Sequence, residues 1–461
     1  VNSYMWHVND LGAITWGSGT SGVNGSINSS NSLLGFSSYD NIGAPSAVSV
    51  WDARANFSNP TGGKGGVTAL SNGNYVVSSP YANSNYGLVT WGNGNGGTVG
   101  YVSSSNSLVG SAIGDFIGTN IVALNNGNYV VGSQNWKNGA GLYRGAVTWG
   151  NGLGGTVGAV SAANSLTGST NYDTVGASIT ALSNGNYVVN SYGWNSKAGA
   201  VTLGNGLGGT VGAVSAANSL VGTISQNIGW GSGTNSIDGV VALVGNGNYV
   251  VNSSSAGFVT WGNGSGGTIG NLSTANSLQG TGGSYATKVT ALTNGNYVVA
   301  NTYWNPGAVT GAGAVTWGNG ASGTAGTVSA ANSLVGSVAN DNVGLGGITA
   351  LSNGNYVVVS HNWDNGLVDV GAATWGNGLG GTVGPISAAN SLVGATANDR
   401  VGWSGSKSVV ALSNGNYVVG SRYWDNGLVD VGAATWGNGA TAGTRLVGQI
   451  SGANSLVGST A

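Results

Sequence analysis

The chain has 461 residues, of which 90 are glycine, 10 basic, 12 acidic and none cysteine. A net charge of −2 with basic residues scattered singly offers no patch to neutralise a nucleic-acid backbone, and the lack of cysteine excludes disulfides and thiolate metal sites. No run of eighteen apolar residues offers a membrane span, while 16 Trp and 18 Tyr set among Val-rich stretches argue against disorder.

Residues 1–66 read as a partial, irregular repeat. Val1-Asn2-Ser3 matches Val189-Asn190-Ser191, so the chain opens inside a repeat and reads as a mature or excised piece of something longer. Gly12-Ala13-Ile14-Thr15-Trp16 and Asn31-Ser32-Leu33-Leu34-Gly35 are its regular parts. Ala47 to Ser58 aligns loosely with the hairpin of later repeats and reads as a decayed copy of it. Residues 67–461 follow as seven full repeats with no linker or charge run, which makes the whole of 1–461 one repeat domain.

Three markers recur in order. Asn-Gly-Asn-Tyr-Val-Val begins at Asn72, Asn126, Asn184, Asn246, Asn294, Asn353 and Asn414. Trp-Gly-Asn-Gly follows at Trp91, Trp149, Trp261, Trp317, Trp375 and Trp436; Trp16 opens a Trp-Gly-Ser-Gly variant, and Leu203 takes the Trp place once. Asn-Ser-Leu closes each unit, as at Asn106 and Asn164. Asn-Gly between two apolar runs, as between Ile179–Leu182 and Tyr187–Asn190, predicts a tight hairpin because both turn residues tolerate positive φ. A third strand covers Gly145–Trp149, and a fourth runs from Val160-Ser161 to Leu166 after the loop at Leu153–Thr156. Four strands in about 58 residues cannot bury both faces of a small sheet, so neighbouring repeats must cover them. The expected fold is all-β: a β-propeller of seven to eight four-stranded blades, with a β-solenoid as the alternative. Solenoid coils are shorter and carry no internal hairpin.

Asp399-Arg400-Val401-Gly402, then Val409–Leu412, Tyr417–Ser421 and Gly432-Ala433-Ala434-Thr435-Trp436, resemble the FG-GAP blade of integrin-α-type propellers. Asp40, Asp115, Asp173 and Asp341 stand at the Asp399 position, with Asn227 read as the replacement in one repeat; Ser79-Pro80 matches the family's second-strand ending. The array is also similar to repeats of large bacterial exoproteins related to filamentous haemagglutinins. That resemblance implies an extracellular or cell-surface bacterial protein. FG-GAP blades often hold calcium in an Asp-x-Asp-Gly loop, whereas the matching loop here is Ser-Asn-Gly-Asn without a carboxylate, so neither metal nor cofactor is expected.

The recurrent Asp reads as a turn cap bonding a backbone N–H two residues on. The Trp of Trp-Gly-Asn-Gly reads as packing between repeats, and the following Gly as allowing a close backbone approach. A second aromatic set lies in loops after the Tyr-Val-Val strand: Trp6, Trp136, Trp194, Trp304, Trp363 and Trp424. With Asp364 and Asp425 beside two of them, these residues are candidates for stacking a sugar ring, against the alternative that each indole folds back onto its blade. His7 and His361 have no partner at ligand spacing, and no nucleophile elbow, phosphate loop or carboxylate pair occurs. The expectation is a non-enzymatic surface or secreted repeat protein acting in adhesion or in self-assembly into a filament or surface layer. Its partner would be itself or a host-surface glycan or protein. A glycan-binding propeller lectin is the alternative, and a calcium-dependent integrin-like binder a third.

Overall fold

A computed structural model of the chain describes residues 2–3, 10–44, 66–139, 141–229, 239–280, 287–405, 408–440 and 446–460. The hairpin-like stretch 47–58, Trp6 and His7 lie outside them. The second repeat shows the plan. Strand β1 (Val67–Ala69) turns through Asn-Gly into β2 (Tyr75–Ser79), with the turn closed by Leu70 N–H to Asn74 O at 2.8 Å and Gly73 N–H to Leu70 O at 3.1 Å. Strand β3 (Leu88–Gly92) returns antiparallel, pairing Val76 with Trp91, and β5 (Ser107–Val109) pairs antiparallel with β3, Val89 facing Leu108. Between them, β4 (Gly100–Tyr101) leaves its own repeat. It adds in parallel to the β5 strand of the first repeat (Ser32–Leu34), with Gly100 opposite Leu33. The same labels serve for the equivalent strands elsewhere.

Among the described residues eight repeats therefore make eight sheets, six of five strands and two of four. Each five-stranded sheet takes β1, β2, β3 and β5 from one repeat and β4 from the next. The first sheet has Asn2–Ser3 in the β2 place, then Ala13–Thr15 and Ser32–Leu34, completed by Gly100–Tyr101. The single fourth strand expected from Val160 to Leu166 is thus two strands. Gly158–Ala159 joins the preceding sheet, and Ser165–Thr167 closes its own. Donating β4 backwards covers a sheet edge that would otherwise present unpaired N–H and C=O groups. One small, hairpin-based sheet per repeat is the organisation of a propeller-like fold and not of a solenoid.

By contacts the chain divides into two compact units, 1–224 with 264–271, and 225–263 with 272–461. Within each, the core lies between consecutive sheets. In the first unit Val76, Val89, Leu108 and Ile117 of the second repeat pack with Tyr129, Val131 and Trp136 of the third. In the second unit Val298, Val315 and Leu334 of the sixth pack with Tyr356, Val358 and Trp363 of the seventh. The β2 tyrosine lies across the glycine that follows the recurrent Trp: Tyr75 pairs with Gly92, and a Cβ there would meet the Tyr75 ring. Glycine at that position is what lets the ring lie flat on the sheet.

Candidate functional site: a three-donor clamp between repeats

The three recurrent markers converge on one joint. The carbonyl of Gly152, in the third repeat, accepts three N–H groups from the second: Asn72 Nδ2, Asn74 Nδ2 and Trp91 Nε1, each at 2.9 Å. Asn74 works in both directions, because its Oδ1 accepts the N–H of Gly94 in its own repeat at 3.0 Å. Gly206 is held likewise by Asn126, Asn128 and Trp149, and Gly378 by Asn294, Asn296 and Trp317. The same three donors reach Gly320 and Gly439. Where Leu203 replaces Trp, Gly264 still accepts Asn184 and Asn186 at 2.8 Å each.

The loop after the clamped glycine is shaped to fit. Gly97 has φ +80°, and a Cβ on it would press on Trp16 Cβ of the preceding repeat. Asn-Ser-Leu shapes the turn that aims β4: Asn106 Oδ1 accepts Ser103 N–H at 2.8 Å, while Asn106 Nδ2 donates to Tyr101 O at 2.9 Å. Ser107 Oγ and Thr90 Oγ1 then bond at 2.7 Å in the buried interior, tying β5 to β3. All these donors and acceptors are neutral, so the joint is built from directional hydrogen bonds and burial, not from charge.

The β2 phenols sit close to this joint. Thr98 N–H donates to Tyr75 Oη at 3.4 Å. Burial pushes the phenols of Tyr129, Tyr187, Tyr297 and Tyr417 up to about 12, and raises Tyr356 as well.

The loop Trp set is not displayed. Trp136, Trp304, Trp363 and Trp424 are buried in the cores between sheets, and Trp194 packs partly buried against another such core. The faces of the four buried indoles are covered by protein, and Trp194 is half-buried. Asp364 and Asp425 are half-buried and serve their loops: Asp364 Oδ1 accepts Asp369 N–H and Asp425 Oδ1 accepts Asp430 N–H, both at 2.7 Å.

The recurrent Asp is a backbone clamp of a different kind from the expected cap. Asp115 Oδ2 accepts the N–H groups of Ser111 and Ala112, four and three residues back, and its Oδ1 accepts Lys137 N–H in the next repeat at 3.1 Å. Asp40, Asp173, Asp341 and Asp399 repeat the arrangement. In the fourth repeat the Asp place falls to Gln226. Asn227 is the next residue, in the positive-φ position that Asn41, Phe116, Thr174, Asn342 and Arg400 occupy elsewhere.

His361 is half-buried beside Trp403, with ring centroids 4.3 Å apart, near an Asp369–Arg400 ion pair of 2.8 Å. Burial first, then the Arg400 charge, lowers its affinity for a proton. Among the described residues no group of three or more His, Cys, Asp or Glu is placed to hold a metal ion, and no helix is long and apolar enough to cross a membrane. A cavity of about 470 Å³ beside Phe36, Asp40 and Tyr101 offers one carboxylate, and its oxygens already accept Phe36, Ser37 and Asn83 N–H.

Among solved structures the chain is similar to a streptogramin B lyase at 9% identity and TM-score 0.31, covering 79% of this chain and 92% of that one. Virginiamycin B lyase from Staphylococcus aureus gives 9%, 0.26, and coverage of 73% and 85%. A putative 6-phosphogluconolactonase from Bacteroides fragilis gives 12%, 0.29, and coverage of 82% and 94%. No curated protein matches in sequence. The profile of a repeat of unknown function, DUF5650, matches eight times, at residues 1–44, 69–119, 123–177, 181–229, 242–286, 291–345, 350–403 and 411–461. Those intervals follow the eight sheets, and the chain belongs to the DUF5650 repeat family.

Proposed function

We propose that this chain is a non-enzymatic repeat protein of the bacterial exterior, secreted or on the cell surface, that works by adhesion or by self-assembly into a filament or surface layer. One observation carries the reading: the side chains repeated most faithfully are used in joining one repeat to the next. Asn-Gly-Asn and Trp donate to a neighbour's carbonyl, and the recurrent Asp accepts a neighbour's N–H. An enzyme needs acids and bases held for a reacting group, whereas the Asp set here is engaged by backbone. The likeness to FG-GAP blades and to bacterial exoprotein repeats supports the exterior location, and a net charge of −2 gives copies little mutual repulsion. The glycan-binding alternative needs indole faces open to solvent, and the burial of Trp363 and Trp424 favours assembly over it.

Light scattering coupled to size exclusion, with electron microscopy of the same sample, tests this. Particles larger than one 45.0 kDa chain are expected, growing with concentration. A sample that stays monomeric at every concentration overturns the assembly reading.

A further inference from the structure

We propose that the cavity of about 470 Å³ between the first two sheets binds one neutral pyranose unit of a glycan, seated against Phe36 and Tyr101. The ligand class rests on the adhesion half of the function proposed above, and the loop indoles take no part in it. Every residue of the site lies within one compact unit, 1–224 with 264–271.

In an array of near-identical repeats, residues that packing requires recur, and large exposed rings that packing does not require mark contact with something outside the fold. Phe36 follows β5 of the first repeat and is 76% exposed. The equivalent residues are Ser111, Ser169, Thr223, Ser337 and Ala395, so the fold needs no ring there. Tyr101, the second residue of β4, is 50% exposed, and its place is taken elsewhere by Ala159, Ala213, Asn271, Thr327, Pro385 and Gln449. Ser104 stands where Ala162, Ala216, Ala330 and Ala388 stand, and Leu88 where Ala146 and Ala200 stand. These four departures from the repeat pattern line the same cavity.

The chemistry of the lining selects the ligand. Phe36 and Tyr101 meet edge to face, with centroids 6.0 Å apart and planes at 89°, and Leu88, Val102 and Val109 continue the apolar wall. A sugar ring presents C–H groups on its faces and hydroxyls around its edge, so it fits where aromatic surface adjoins neutral donors and acceptors. Among the described residues, Ser37 Oγ, Ser104 Oγ, the Asn83 side-chain amide and Tyr101 Oη have no protein partner, and hydroxyls and amides can both donate and accept. Asn83 is held in place by its backbone N–H, which donates to Asp40 Oδ1 at 2.8 Å. Asp40 is the one charged residue of the lining, and Phe36 and Ser37 N–H occupy its other oxygen at 2.8 and 2.7 Å. A carboxylate so placed repels an anionic sugar, and being saturated it offers little to a cation. The volume lies within the roughly 300–1,000 Å³ of small-molecule sites.

The test titrates the full chain with the methyl glycosides of glucose, galactose, mannose and N-acetylglucosamine, and with methyl glucuronide as the anionic control, by saturation-transfer difference NMR. At least one neutral glycoside should receive saturation through its ring C–H protons and bind more tightly than the glucuronide. Phe36→Ser and Tyr101→Ala introduce the residues that the next repeat carries at the same places, so circular dichroism should match wild type. Each alone should weaken binding by about threefold or more, and the pair by about tenfold or more. If the pair does not fold, the single variants decide. No neutral glycoside bound by the wild-type chain, a preference for the glucuronide, or affinity unchanged in the variants each overturns the site. Light scattering reads assembly separately. Large particles from a chain that binds no glycoside leave self-assembly standing without this site, whereas a monomeric chain whose glycoside binding depends on Phe36 and Tyr101 removes self-assembly and keeps adhesion.

Discussion

At the scale of the residue, the recurrent tryptophan is a hydrogen-bond donor as much as an apolar body. Trp317 Nε1 gives Gly378 O its third N–H, alongside Asn294 and Asn296. Because the carbonyl keeps two donors without it, Trp317→Phe should cost only about 0.5–1 kcal/mol. Trp317→Ala also removes the ring resting on Gly381 and should cost up to about 3 kcal/mol for a half-buried side chain. Urea midpoints of the two variants against wild type check the order. Leu203→Trp runs the other way, toward the three-donor pattern, and should be neutral or stabilising by the same measure. The sequence shows Asn-Gly-Asn as a turn, since that role is local. Its second role is not legible, because the acceptor lies 78 to 80 residues further on and no spacing rule connects the two. The burial of Trp363 and Trp424 is hidden for a related reason: loop residues lack the periodicity that marks a buried face.

At the scale of the element, strands β1, β2 and β3 announce themselves by alternation and by the Asn-Gly turn, and the structure places them where those signals fall. Strand β4 does not, because Gly100-Tyr101 and Gly158-Ala159 are only two residues long, too short to alternate, and each opens on a glycine, which is depleted in strands. They are extended through the Asn-capped turn and through the edge they join. The β2 tyrosines give this element a pH signature. Their ordinary pKa is 10.0, and burial raises Tyr129, Tyr187, Tyr297 and Tyr417 to about 12. The unfolded chain therefore releases these protons first as pH rises, so the stability they contribute is whole below pH 10 and is lost between about 10 and 12. Phenolate absorbance followed against pH should lag behind that of the urea-unfolded chain. A later cooperative step should coincide with loss of the β signal in circular dichroism. Ionisation of all tyrosines in one step near 10, with the fold intact, would contradict the buried placement.

At the scale of the whole molecule, each of the first seven sheets is completed by a strand and a carbonyl from the next repeat, so stability is a sum of repeats and nearest-neighbour joints. Such arrays open locally, and the joint with the fewest partners opens first. Among the described residues the eighth repeat has neither a β4 partner nor an acceptor for its clamp, whereas the seventh has Gly448–Gln449 on its β5 and Gly439 O in its clamp. Hydrogen exchange at concentrations below assembly should therefore be faster at Leu456 and Val457 than at Leu392 and Val393, the equivalent pair one repeat earlier. Their local sequences are Asn-Ser-Leu-Val in both cases, so intrinsic exchange rates and propensity are matched and the difference reports the missing neighbour alone. Equal protection of the two pairs in the dilute protein would mean that edge pairing contributes little, and that each four-stranded sheet stands on its own core.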